Sequence, residues 1–494
     1  MTALGSIKTV LVANRGEIAL RILGTVKSLG LRSVIIYHAL DSDSPAVSMA
    51  DEAVEITGPT PVAAYLDGEQ VLAVARKSRA QAIHPGYGFL SENADFARKV
   101  EDAGLIFIGP SPETIELLGD KIRARAFVAA QGFPVAPSAI EDEDPTSFNE
   151  RARALGPPLL IKPAAGGGGK GMHIVRDMAL LDETITRARS EGQRYFGDGR
   201  LYAERYVERP RHIEVQVLGD AHGNIVHLFE RECSLQRRFQ KVVEESSSPA
   251  LTPELRTRIC DVAVGIAKTA GYRNAGTVEF IYGGGAFYFL EMNTRLQVEH
   301  RVTEAVTGLD LVREQLRIAA GEPLGYSQDA VAVSGHAIEL RIYAEDPARD
   351  FLPTTGHVLV FDVPCGEGVR VDAGIRVGQN ITAAFDPMLA KLIVHGADRN
   401  DAIEKARAAL RQFVLLGFPT NIGFLNRLIA TEEFRSGEVH TGLIGEKPDI
   451  AAPPVPSEDK LRAVLAIAAL STRSVVDAAK RVPALHVSLG AWRN

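Results

Sequence analysis

An apolar run at residues 9–13 is followed by the turn Asn14-Arg15-Gly16-Glu17, and Ile18, Ile22, Val26 and Leu29 then recur at helical spacing before a second apolar run at 34–37. Two short buried strands joined by an amphipathic helix make a parallel βαβ unit, and this alternation constrains the fold more than any other feature. Further short runs at 82–84 and 105–108 extend the unit to a doubly wound α/β sheet. The turn after the first strand carries one glycine, so it is not a dinucleotide fingerprint and implies no nicotinamide cofactor. The loop His84-Pro85-Gly86-Tyr87-Gly88-Phe89-Leu90-Ser91-Glu92-Asn93 leaves a strand end, where open α/β sheets carry ligands. Taken alone it reads equally as a tight turn around a buried aromatic.

At 494 residues the chain exceeds what one core can organise and divides into three or four domains. The breakers Gly109-Pro110-Ser111-Pro112 close an N-terminal α/β domain over 1–120. A central domain follows over 121–332, opening with a helix at Lys121 and containing a small inserted lid at about 136–207. A β-rich domain is expected over 333–446 and a linker with a short helical tail over 447–494. With 55 Lys+Arg against 62 Asp+Glu there is no whole-chain footprint for nucleic acid, so local basic clusters must answer to local anions. Three scattered cysteines, Cys233, Cys260 and Cys365, argue against a disulfide framework or structural zinc. No apolar run approaches membrane-spanning length and no signal core opens the chain, which leads to a cytoplasmic expectation.

The chemistry concentrates after residues 287–290, a short apolar run that reads as a strand. Glu291 and Asn293 follow it, two apart and so on one strand face, the disposition a hard cation needs beside substrate phosphates. Glu279 ends another β-prone run, Gly276-Thr277-Val278-Glu279-Phe280, and completes a metal cradle. Arg295 offers a planar fork for a small oxyanion, and Glu299 stands where it could take a proton from whatever that fork holds.

Upstream, Leu159-Leu160-Ile161-Lys162 reads as a strand followed closely by Gly166-Gly167-Gly168-Gly169-Lys170. Four glycines in succession are costly to order and make sense where a ligand approaches the backbone; with Lys162 and Lys170 they suit phosphate oxygens. No Gly-Lys-Ser/Thr opens a helix there, so this is not a Walker A loop. Residues 201–207, containing Glu204, Arg205, Tyr206 and Val207, read as a strand and its exit, where backbone groups could meet an adenine edge. Residues 211–217 alternate as a strand with one polar face, which makes His212 a surface histidine when read alone. Residues 230–241, dense in charge, read as a solvated loop or as cations supplied to a phosphate.

Together the motifs Ala13-Asn14-Arg15-Gly16-Glu17, the 84–93 loop, Lys162 with the glycines, Arg211-His212-Ile213-Glu214, residues 233–241 and residues 291–300 resemble biotin carboxylases of the ATP-grasp superfamily, over about 7–444. That resemblance implies ATP lying between lid and central sheet. Lys121, Lys162, Gly166, Gly167, Gly168, Gly169, His212 and Gln236 would meet the nucleotide, with Glu204, Arg205, Tyr206 and Val207 along the adenine. Glu279, Glu291 and Asn293 would hold Mg²⁺ or Mn²⁺. Arg295, Gln297 and Val298 would grip bicarbonate, and Glu299 would be its general base. Lys241 would steady a carboxyphosphate intermediate, while Arg341 and Tyr87 would face biotin.

Three positions depart from the commonest family pattern. Phe239 stands where many members carry His, Ser246-Ser247-Ser248 replaces an Ala-Pro pair and softens a loop, and Arg301 replaces a Pro after His300 and frees the backbone. No Met-Lys-Met biotinylation sequence is present, so the resemblance implies biotin on a carrier protein or domain elsewhere, a carboxyltransferase partner and a homo-oligomer within an acyl-CoA carboxylase. The ending around Trp492 resembles entry into the linker of longer α subunits, so the chain is expected either to be cut short or to work with a separate biotin protein. Two other readings stay open: another ATP-grasp ligase joining a carboxylate to an amine, and a catalytically weakened scaffold.

Overall fold

The structure is a computed structural model that describes residues 4–5, 7–141, 145–163, 171–454 and 456–470. The expected phosphate loop, Gly166, Gly167, Gly168, Gly169 and Lys170, lies outside those residues.

Five parallel strands, Thr9–Val12 (β1), Arg32–Tyr37 (β2), Glu52–Glu55 (β3), Ala82–His84 (β4) and Ile106–Phe107 (β5), form the N-terminal sheet in the order β3-β2-β1-β4-β5. The doubly wound α/β expectation is met. β3 was not foreseen: Glu-Ala-Val-Glu at a sheet edge needs no apolar run to announce it. The helix Gly16–Ser28 buries Ile18, Ile22 and Val26 against the sheet. Where the strand order reverses, between β1 and β4, the Asn14 side chain donates to the carbonyls of Pro85 and Tyr87 at 2.6 and 2.8 Å. Gly86 sits there at φ 67°, and a Cβ on it would stand 2.7 Å from the Asn14 amide nitrogen.

The inserted segment is a four-stranded antiparallel sheet of Ser138–Ile140 (β6), Leu159–Pro163 (β7), His173–Val175 (β8) and Leu201–Arg205 (β9), in the order β6-β9-β7-β8. Its own core gathers Phe148, Ile161, Leu181, Ile185 and Leu201.

The central sheet has eight antiparallel strands: Arg211–Gly219 (β10), Ile225–Arg237 (β11), Gln240–Ser246 (β12), Asn274–Gly283 (β13), Ala286–Asn293 (β14), His336–Tyr343 (β15), Val369–Ala373 (β16) and Met388–Gly396 (β17). They run β14-β13-β10-β11-β12-β15-β17-β16. The β-rich segment after residue 333 therefore continues the central sheet instead of starting a new one, because β15 completes the hydrogen bonding of β12. Odd positions Ile213, Val215 and Val217 join the apolar core with Val278 and Phe280, and Ile338, Leu340 and Ile342 do the same with Leu392 farther along. The charged stretch 230–241 is not a loop: it is the second half of β11, a turn at Arg238 and Phe239, and the start of β12. The helix Glu458–Leu470 belongs to a separate unit beginning at Ala452.

Candidate active site

If odd positions of β10 face the core, even ones must face the other way, and there the strands carry charge. Glu291 lies opposite Glu279, Glu279 opposite Glu214, and Glu214 opposite Arg231. The row continues with Glu244 opposite Glu339, Arg341 opposite Lys391, and Lys391 opposite Asp372. Each of the eight strands thus contributes a charge to one face, and the helix His300–Thr307 covers part of it. The polar face expected of β10 is present but buried, and His212 is a buried residue, not a surface one.

Buried charge is tolerable only when paired and hydrogen-bonded. Arg231, wholly buried, meets that condition by donating to Glu214, Gln216, Thr303, Thr277 and Gln297 at 2.5–3.1 Å. Lys241 reaches three carboxylates at once, Glu214 at 2.5 Å, Glu299 at 2.7 Å and Glu279 at 2.8 Å. Burial disfavours its charge, but these three acids prevail and hold the ammonium firmly protonated.

Glu299 precedes the helix His300–Thr307 and accepts from Lys241 on one oxygen and from Arg341 on the other, at 2.7 and 2.9 Å. Burial would raise its carboxyl, yet Lys241, Arg341 and Arg231 outweigh burial and keep it far below the usual carboxylate range. Arg341 is anchored in turn on Glu244 at 2.6 Å. The segment is fixed from behind by Lys391, which donates to the Val298 carbonyl at 2.6 Å. Tyr87 donates to Glu17, the carboxylate that also lies 3.4 Å from Lys391.

Glu279, Glu291 and Asn293 do come together. Two glutamates directly opposite on neighbouring strands repel unless a cation lies between them. Here Lys241 sits on Glu279 and Lys121 on Glu291, the latter at 2.7 Å, while the Asn293 amide donates to Glu279 at 2.9 Å. Burial would raise the Glu279 carboxyl, but Lys241 and His212 hold it well below its ordinary value. This oxygen-rich set fits a hard divalent ion. Both glutamates lie inside their strands, not at the ends expected from the sequence, because β13 and β14 run on past the apolar residues.

Arg295 donates to Glu92 at 2.8 Å and to Asn293 at 3.2 Å, at the mouth of the same cluster. Gln297 spends its whole side chain on Arg231 and Glu279. Lys121 opens the helix Lys121–Ala130, whose first amides are capped by Asp120. On the inserted sheet Lys162 donates to Glu204 at 2.8 Å and lies over the Tyr202 ring. Beyond β9, the Tyr206 amide donates to Pro158 O at 2.9 Å, and Arg205 donates to Leu155 O. Val207 packs where a Cβ on Gly283 would approach it to 2.5 Å. Gln236 bonds His212 Nδ1 at 2.9 Å and so joins it to the cluster.

The three departures take definite shapes. Phe239 is exposed at the hairpin turn. The serine run is not soft: Ser246 and Ser248 are buried and donate to Glu230 O at 3.1 Å and to Glu232 at 2.6 Å. Arg301 does not loosen the backbone either, since it is buried between Asp372, at 2.7 Å, and Glu304.

Residues 6–115 match the family described as biotin carboxylase, N-terminal domain, 120–327 the carbamoyl-phosphate synthase L chain ATP binding domain, and 339–446 the biotin carboxylase C-terminal domain. Biotin carboxylase 2 of Bacillus subtilis is 47% identical over 437 residues, 88% of this chain and 98% of that protein. The chain belongs to the biotin carboxylase family. It is accordingly an ATP-dependent ligase of ATP-grasp architecture. The mouse mitochondrial methylcrotonoyl-CoA carboxylase subunit alpha is 48% identical over 89% of this chain, which spans only 62% of that subunit. Among solved structures, the biotin carboxylase domain of the Hydrogenobacter thermophilus 2-oxoglutarate carboxylase, in complex with MgADP, ADP and bicarbonate, superposes with a TM-score of 0.86. It is 44% identical and covers 91% of this chain and 99% of its own.

The reading of motifs gave no role to several buried charged positions, Glu17, Glu214, Arg231, Glu244, Glu339 and Lys391, or to the exposed Glu92 that receives Arg295. The available signal was charge at every second place of an apolar strand, as in Ala337-Ile338-Glu339-Leu340-Arg341-Ile342.

Proposed function

We propose that this chain carboxylates biotin on a carrier protein or domain, using ATP and bicarbonate, as the biotin carboxylase component of an acyl-CoA carboxylase. The observation that carries the reading is Lys241 and Arg341 converging on Glu299 beside the Glu279–Glu291 pair. The complexes of the Hydrogenobacter domain with MgADP and bicarbonate support it.

Glu279, Glu291 and Asn293 would hold Mg²⁺ or Mn²⁺, which when bound supplies positive charge to the phosphoryl oxygens. Lys121, Lys162, His212, Gln236 and the Gly166, Gly167, Gly168, Gly169 loop meet the nucleotide, with Glu204, Arg205, Tyr206 and Val207 toward adenine. Arg295 grips bicarbonate; because the Gln297 side chain is engaged, Gln297 and Val298 contribute backbone donors. A phosphate in front of Lys241 draws that ammonium off Glu299, whose proton affinity then rises to that of a working base. Glu299 takes the bicarbonate proton, the freed oxygen attacks the γ-phosphorus, and ADP departs from carboxyphosphate. Carboxyphosphate splits to CO₂ and phosphate, phosphate accepts the biotin N1′ proton, and the nitrogen bonds to CO₂. Arg341, with Tyr87 nearby, faces the ureido oxygen as it gains charge. Closure of the inserted lid excludes water from the labile intermediate. The same reading gives a carboxyltransferase partner and a homo-oligomer.

ADP release from purified protein should require bicarbonate and rise with added free biotin. ADP release driven by an amine and a carboxylate in place of bicarbonate would transfer the chain to the ligase alternative. The buried pairs of Arg301 with Asp372 and Glu304, and the buried hydrogen bonds of Ser246 and Ser248, weigh against a weakened scaffold.

A further inference from the structure

The end of the charged row that would hold the metal has a use; the Glu244–Glu339 pair at its middle has none yet. Glu244 and Glu339 face each other across β12 and β15, fully buried, with Cβ atoms about 5 Å apart as such pairs are. Glu244 has one oxygen on Arg341, and no donor among the described residues reaches its second oxygen or either oxygen of Glu339. An unsatisfied buried carboxylate is among the most costly groups a core can hold, and two at this spacing cannot both stay ionised on one shared cation.

The neighbours do not supply the missing charge. Lys391, the cation that acts most strongly on Glu339, is occupied by the Val298 carbonyl and by Glu17, and it also lies opposite Asp372. Arg341 is divided between Glu244 and Glu299, and Lys241 between Glu299, Glu214 and Glu279. From the 84–93 loop comes Tyr87, whose hydroxyl is on Glu17.

We propose that Glu244 and Glu339 share one proton in the resting enzyme, and that this proton leaves Arg341 enough free positive charge to attract an anionic substrate oxygen. Burial pushes Glu244 up to about 7, against Arg341 and with help from Glu299; burial also drives Glu339 far above the carboxylate range. Such groups titrate as a pair. Once the proton leaves, Arg341 confronts three carboxylates, Glu244, Glu339 and Glu299, and a developing oxyanion is repelled. Glu244 and Glu339 are in this sense positioning residues acting through Arg341. The proton stands on the geometry alone, whereas its consequence for Arg341 rests on the function proposed above.

The test is infrared difference spectroscopy across a neutral-to-alkaline pH step, together with the pH profile of kcat/KM for free biotin in bicarbonate and MgATP. Wild type should show a buried carboxylic-acid C=O band that disappears on the alkaline side, together with an alkaline limb in the profile. Glu339→Gln, which fixes a neutral side chain, should abolish the band and move that limb upward by about one pH unit or more. Glu244→Gln, dissolving the pair from the other side, should displace the limb likewise. Absence of the band in wild type overturns the shared proton, and a limb unmoved in both variants overturns its effect on Arg341. A wild-type protein with the band but no bicarbonate-dependent turnover would count against the proposed function and leave the proton in place.

Discussion

Glu299 is held from two sides, by Lys241 on one oxygen at 2.7 Å and by Arg341 on the other at 2.9 Å. A carboxylate fixed so firmly cannot drift out of line, and in the mechanism proposed above it becomes basic only when one of its cations is drawn to substrate.

Glu299→Gln keeps the shape and removes the base. Bicarbonate-dependent ADP formation should fall about 10²–10⁴-fold, the usual worth of a positioned base, while affinity for MgADP by calorimetry stays close to wild type. A large loss of nucleotide affinity would contradict the role.

Arg341→Ala should separate the two half-reactions. Carboxylation of free biotin is expected to drop about 10²-fold or more through loss of oxyanion stabilisation. Bicarbonate-dependent ATP cleavage without biotin should fall much less, and equal loss in both assays would place Arg341 on the bicarbonate side instead.

Lys162 at present pairs with Glu204 at 2.8 Å, an acid it would exchange for phosphate. Lys162→Ala should weaken MgADP binding by about tenfold or more, as loss of a charged hydrogen bond does. Calorimetry showing unchanged affinity would remove Lys162 from the nucleotide site.

Arg301 joins the helix His300–Thr307 to β16 through Asp372, while Glu304 beside it also receives Arg21 from the helix Gly16–Ser28. Arg301→Ala leaves both acids short of a partner and should destabilise the protein by about 3 kcal/mol in urea unfolding. Burial would raise the Asp372 carboxyl, but Arg301, Lys391 and Arg370 bring it from 3.8 down to about 2. A depressed carboxyl contributes stability that is complete above the unfolded value and disappears as pH falls through the folded one. The gap between variant and wild type should therefore narrow as pH drops from about 4 toward 2. A gap independent of pH would mean that Arg301 acts through packing alone.

The sequence made the parallel N-terminal sheet legible because β1, β2 and β4 are apolar runs separated by a helix of clear period. Glu279, Glu291, Asn293, Arg295 and Glu299 were legible because they fall close to two β-prone runs. Residues 230–241 misled for a physical reason: charge density ordinarily signals solvent, and here opposite charges on neighbouring strands satisfy one another out of water. Arg231 makes the point, since its five acceptors come from four other segments that no local window contains. The buried pairing of Arg301 with Asp372, 71 positions away, was hidden for the same reason.

Because β12 and β15 lie side by side in one sheet, the segment after residue 333 cannot be treated as a detachable module. A protein severed there would leave β12 with a raw edge and Val243 stripped of Leu340 beside it, and the detached piece would begin with an equally bare β15. Anyone building chimaeras between relatives of this chain should take β12 and β15 from one parent, since a junction at residue 333 would set strands of different origin side by side along the charged face.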